Sequence, residues 1–146
     1  MPKRSTLFFF LISVIFLISF ARTISPDRTE MVQMPGENPS VRLATDLYLP
    51  SGDGPWPVVF GRTPYNKSTD IASTMLTDAM ITEFNQKGIA VVLQDVRGRY
   101  ASEGTALAFI HDGWGEKKDG LHSIEWLKNQ TWCNGEIVMI GASAGG

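Results

Sequence analysis

Cysteine, histidine and positive charge are scarce in this chain, and each shortage closes off a class of function. Cys133 is the sole cysteine, so no intrachain disulfide can form, and a lone cysteine reads as a small buried hydrophobe. Lys and Arg number 13 against 15 Asp and Glu, a formal net charge of −2. With no basic excess or stripe, nothing in the chain recruits nucleic acid. His111 and His122 are the only histidines. Asp112, Glu116 and Asp119 show no metal-ligand spacing and read as helix-start acids, so the sequence asks for neither a metal nor any other cofactor. Internal repeats, heptads and low-complexity tracts are also missing.

What is present begins with a leader. Lys3 and Arg4 precede an apolar run from Leu7 to Ala21 broken only by small hydroxyl residues. The run is shorter than the roughly 20 residues that span a bilayer. Ser19-Phe20-Ala21 supplies the small residues a signal peptidase reads. Residues 1–21 are therefore expected to be a signal peptide, with export to the periplasm or exterior, a mature chain beginning at Arg22 and no stable membrane span after cleavage. Losing Lys3 and Arg4 makes the mature chain two charges more acidic. An uncleaved tether is the alternative.

The mature chain alternates periods. Thr29–Pro35 and Val41–Pro50 read as strands joined by "GENPS". In the second, Val41, Leu43, Thr45, Leu47 and Leu49 share one face, with Arg42, Ala44, Asp46 and Tyr48 on the other. Val58–Gly61 and Ile89–Asp95 are short and apolar, suited to a sheet covered on both faces. Between them Met75–Lys87 has helical spacing, with Leu76, Met80 and Phe84 inward and Gly88 placed to end the helix. A second helix is expected over about Lys117–Gln130, facing inward with Leu121, Ile124 and Leu127, while His122 reads as a solvated residue of it. Trp126, Trp132 and Cys133 are expected to pack that helix on a last strand, Glu136–Gly141. Alternation of this kind argues for a three-layer α/β sheet.

The chain then ends on "GASAGG". Directly after a buried strand, Gly141-Ala142-Ser143-Ala144-Gly145 fits a nucleophile elbow, with glycines two positions either side of Ser143 letting strand and helix approach. The competing reading is the phosphate turn of a dinucleotide-binding oxidoreductase, but there the glycine turn follows the first strand. A third reading makes Ser143 only a turn residue in a non-catalytic secreted binding domain. Tyr65 lies in the loop after a buried strand, where hydrolases of this class place oxyanion donors. Asp95, Arg97 and Arg99 read as a loop braced by charge-assisted hydrogen bonds.

The stretches "VRLATDLYLP", "GPWPVVFGRTPYNK", "GIAVVLQDVRGRYASEG" and "DGLHSIEWLKNQTWCNGEIVMIGASAGG" together resemble the N-terminal part of the X-Pro dipeptidyl-peptidase and cocaine-esterase-like hydrolases, a superfamily that includes α-amino acid ester hydrolases and glutaryl acylases. The resemblance implies an α/β-hydrolase core with a serine, aspartate and histidine triad, a helical cap and a C-terminal jelly roll. It also implies cleavage of an ester or amide bond in a small-molecule or peptide substrate, without a cofactor. Ser143 matches the nucleophile, Tyr65 the hydroxyl donor of the oxyanion hole, and the Ala144 N–H the second donor. The usual elbow has tyrosine where this chain has Ala144, and "RGRYASEG" has Tyr100-Ala101 where glycine is more usual. Triad order in this fold is serine, acid, histidine, so His111 and His122 lie on the wrong side of Ser143. Residues 22–146 are thus expected to be an incomplete catalytic domain, its acid and base beyond Gly146.

Overall fold

The computed structural model describes residues 22–36, 40–69, 76–107, 110–113 and 115–145. Residues 1–21, part of the "GENPS" turn, Met75 and Gly146 lie outside the described residues. Seven elements follow the expected order: β1 (Arg28–Gln33), β2 (Arg42–Tyr48), β3 (Trp56–Thr63), α1 (Asp78–Gln86), β4 (Ala90–Asp95), α2 (Asp119–Lys128) and β5 (Cys133–Ile140). A 3-10 turn, Ser143–Gly145, comes after them.

The strands form one sheet in the order β1-β2-β4-β3-β5. β2 is antiparallel to both β1 and β4, whereas β3 runs parallel to β4 and β5. Parallel neighbours need a crossover, and α1 and α2 provide one each. Successive strand residues point to opposite faces, which assigns the helices to different sides. Val58, Phe60, Ala90, Val92 and Leu47 pack with Leu127 of α2. Val59, Val91, Leu93 and Tyr48 pack with Ile81 of α1. The result is the three-layer α/β sandwich that the alternating pattern predicts. Each such fully buried side chain contributes about 1.5–3 kcal/mol relative to exposure.

The two-residue period of β2 holds, but its polar face is not solvated. From Leu43 to Tyr48 every residue is buried, because β2 lies between β1 and β4 with packing on both faces. Both helices turn differently from expectation. Helix α1 starts later, with Thr77 as its N-cap accepting from the Met80 N–H. That start rotates Ile81 into the core and leaves Met80 37% exposed. Leu76 is buried ahead of the helix, and Gly88, at φ +74°, follows the C-cap as expected. In α2 the buried positions are Asp119, Ser123 and Leu127, one face at a four-residue spacing. Leu121, expected inward, is 46% exposed. Ile124 and Trp126 pack against the core, and Trp126 meets Trp132 edge-on with ring centroids 6.4 Å apart. Cys133 is free and buried.

Candidate active site

Because β3, β4 and β5 are parallel, their carboxyl ends lie along one rim of the sheet, where open α/β sheets bind ligands. A cavity of about 370 Å³ lies there. Pro64 and Tyr65 from the segment after β3, Val96, Arg97 and Arg99 from the segment after β4, and Ala144 from the turn after β5 line it together. His111, Asp112 and Asp119 close the side next to α2. Two of the three expected site residues, Tyr65 and Ala144, thus share one wall although 79 positions separate them in the chain.

Ser143, the third, precedes Ala144 in the 3-10 turn, which packs against β3. Its φ is +53°, in the left-handed region where a Cβ approaches backbone oxygen and a non-glycine residue is held at a cost of about 1–2 kcal/mol. The side chain is exposed. The strand before it, β5, is not buried as expected: it is the edge strand of the sheet, with Val138 and Met139 exposed. A strained, exposed serine immediately beyond a strand's carboxyl end is still the conformation a nucleophile elbow requires. The phosphate-turn alternative fails on position, since the turn follows the fifth strand rather than the first. Tyr65 is 39% exposed, and its hydroxyl donates no hydrogen bond to a described residue. Its backbone N–H donates to Thr63 Oγ1 at 3.0 Å.

Beneath the cavity lies a set of buried polar contacts that sequence reasoning only partly anticipated. Arg97 braces its loop as expected, through Nε and Nη2 donating to Asp119 at 2.8 and 2.6 Å. Asp119 stands in the first turn of α2, as a helix-start acid should, and is also a buried counter-ion. Arg62 pairs with Asp112 and donates through Nε to Gln94 Oε1 at 2.8 Å. Gln94 also accepts from Ser123 Oγ and donates to Thr45 Oγ1. On the other face Lys67 Nζ donates to Asp46 at 2.9 Å, and the Lys67 N–H donates to Asp95 at 2.8 Å. Burial pushes the Asp95 carboxyl above its ordinary value, against the opposing pull of Lys67. Arg99 Nε reaches the Pro64 carbonyl at 3.2 Å. The signal that could have found Asp119 and Gln94 is their position: each continues an inward row of its element.

His111 stands in the cavity wall with Nδ1 buried and unpaired among the described residues. Its carbonyl accepts from the Asp119 N–H, and that of Asp112 from Gly120, which satisfies the start of α2. His122 pairs with Glu125 on the helix surface. Tyr100 carries a φ of +47°, which explains why glycine would suit that position. Among the described residues no group of three or more His, Cys, Asp or Glu could hold a metal ion.

Comparison with known proteins gives one direction. Cocaine esterase from Rhodococcus sp. (strain MB1 Bresler) is 43% identical over 104 residues, covering 70% of this chain and 17% of the esterase. The structure of an α-amino acid ester hydrolase superposes with a TM-score of 0.59 at 27% identity, over 94% of this chain and 24% of that one. A CocE/NonD family hydrolase from Staphylococcus aureus shares the fold with a TM-score of 0.65 at 24% identity, over 80% and 22% of the two chains. The fold is that of the α/β hydrolases, and the chain spans less than a quarter of these relatives' lengths. The family model for X-Pro dipeptidyl-peptidases matches residues 38–146, most of the chain, and the chain belongs to that S15 family.

Proposed function

We propose that this chain supplies the nucleophile and oxyanion hole of an exported serine hydrolase that opens an ester or amide carbonyl through an acyl-enzyme. The observation that carries the reading is Ser143 held at φ +53° beyond β5, beside a cavity that Tyr65 and Ala144 line. Ser143 Oγ would bond to the carbonyl carbon as its proton passes to a histidine base. The carbonyl oxygen, now negative, would accept from the Tyr65 hydroxyl and the Ala144 N–H. Collapse breaks the bond to the leaving alcohol or amine, which takes the proton, and water then releases the acyl group and restores the serine. By triad order the acid and the base would follow Ser143 in sequence, and His111, which precedes it, would be a wall residue. The substrate is a small ester, amide or peptide, and the reaction calls on no cofactor.

The test is labelling of the complete exported protein with a fluorophosphonate. Label on Ser143 that disappears in Ser143→Ala is the expected outcome. Failure to label, or labelling that survives the substitution, removes the serine mechanism. Saturable, Ser143-dependent ester turnover by residues 22–146 alone would make His111 or His122 the base and overturn the placement of the triad.

A further inference from the structure

The segment that carries Tyr65 leaves β3 and must hold a side chain whose hydroxyl has no anchor of its own among the described residues. Its backbone is pinned instead. Asn66 sits at φ +89° and closes a local turn, its Oδ1 accepting from Ser68 N–H and its carbonyl from Thr69. On the side before Tyr65, exposed Arg99 donates to the Pro64 carbonyl. On the side after it, Arg22 Nε donates to the Lys67 carbonyl at 3.0 Å, and the Arg22 N–H donates to the Ser68 carbonyl at 3.1 Å. The Arg22 side chain is only 3% exposed, with Nη1 shared between the Leu76 carbonyl and Asp78. Thr23 and Ile24 lock the same carboxylate through their N–H groups and the Thr23 hydroxyl.

We propose that Arg22 is a positioning residue for the oxyanion hole: with Asp78 behind it, it fixes the Lys67–Ser68 backbone just after Tyr65 and so aims the Tyr65 hydroxyl at the developing charge. A buried arginine whose Nε and Nη1 donate to carbonyls and a carboxylate is a rigid strut, since its planar fork is pre-organised. An oxyanion donor works only when it is already in place as charge appears. The N-terminal segment thus does more than cover α1. Cleavage after Ala21 leaves the strut whole, and loss of one further residue would remove it.

The inference rests on Tyr65 being an oxyanion donor, and its test separates the two claims. In the complete protein, kcat is measured per fluorophosphonate-titrated site, so that unfolded molecules drop out of the comparison. Arg22→Gln is expected to lower kcat about tenfold with KM changed less than twofold, and Arg22→Lys to recover part of that loss. In a Tyr65→Phe background the same Arg22→Gln change is expected to cost less than twofold, because there is no longer a hydroxyl to aim. An equal tenfold loss in both backgrounds, or no loss in either, overturns the positioning role while leaving Ser143 labelling and the hydrolase reading intact. A Tyr65→Phe variant with undiminished kcat overturns the oxyanion reading, and this inference with it.

Discussion

The amino and carboxyl halves of the parallel strands share one backbone geometry and have opposite chemistry. On the α2 face, Val58 is paired with Ala90, Phe60 with Val92, and Arg62 with Gln94. Across β4 the same rows continue to Leu47 beside Val92 and Thr45 beside Gln94. Helix α2 follows suit, with Leu127 in the apolar cluster, Ser123 bonded to Gln94, and Asp119 bonded to Arg97 at the rim. One row separates a dry core from a fully buried polar layer. Apolar rows stabilise by area and tolerate inexact fits. The polar layer gains little net stability, since desolvation offsets its attraction, but each of its bonds has a direction, and the loops that reach the cavity are tied to it.

The largest expected effects measure that difference directly. Phe60→Ala should cost about 3–5 kcal/mol through lost transfer energy and a cavity. Asp119→Ala should cost about 3–5 kcal/mol as well, by leaving Arg97 buried without its carboxylate. The second loss should be largely reversed by replacing both partners, Arg97→Met with Asp119→Leu, whereas no partner of Phe60 can repair the first. Urea unfolding of the complete protein measures all of these, and an Asp119→Ala cost below about 1 kcal/mol would break the contrast. A smaller effect should appear only in catalysis. Tyr65→Phe removes no buried contact, so its unfolding midpoint should match the parent while kcat falls by about 10²–10³ with KM little changed. A kcat within twofold of the parent would take Tyr65 out of the site.

The smallest effect is a pH dependence that divides two aspartates at the rim. Burial would raise the Asp78 carboxyl, but hydrogen bonds from Thr23, Ile24 and Arg22 outweigh it and hold the group below 3.8. Its contribution is therefore complete above pH 3.8 and lost as pH falls through the depressed value. Asp95, raised by burial, behaves oppositely. In the interval above 3.8 the folded state binds more protons than the unfolded chain, so stability declines as pH climbs through that interval. Melting temperature against pH should accordingly lose its acid-side fall in Asp78→Asn and its gain toward pH 3.8 in Asp95→Asn. Curves parallel to the parent would show that neither carboxyl is shifted.

Element order, both crossovers and the glycine-bracketed turn after the last strand were legible in the sequence because each is written locally. Strand and helix periods appear within a few residues, and Gly141 and Gly145 bracket Ser143 at the spacing a tight strand-to-helix turn needs. That Tyr65 follows a strand was legible for the same reason. What stayed hidden was set by distant partners. Asp119 was legible as a helix-start acid but not as a buried counter-ion, because its partner Arg97 lies 22 positions upstream. Once Asp119 and Ser123 face inward, the helical period carries Leu121 outward whatever its hydropathy. Met80 and Ile81 exchanged places because the Thr77 cap, and not the apolar count, set the phase of α1. Arg22 read only as the first residue after a cleavage site, since nothing in its neighbourhood announces Lys67 or Asp78.

The strand order also sets a timetable for the nascent chain. β1 and β2 can pair as soon as they are made, but β2 and β3 are not neighbours; β4 lies between them. Until residues 90–95 have left the ribosome, β3 has no parallel partner behind it, and one edge of β2 stands open. Insertion of β4 then closes the open edge of β2 and one edge of β3, leaving the other for β5, across sequence separations that close slowly. Before that moment the growing chain holds two buried-type strands with unpaired edges, a form prone to wrong association. That interval makes Ala90–Asp95 the segment whose arrival commits the chain to its fold.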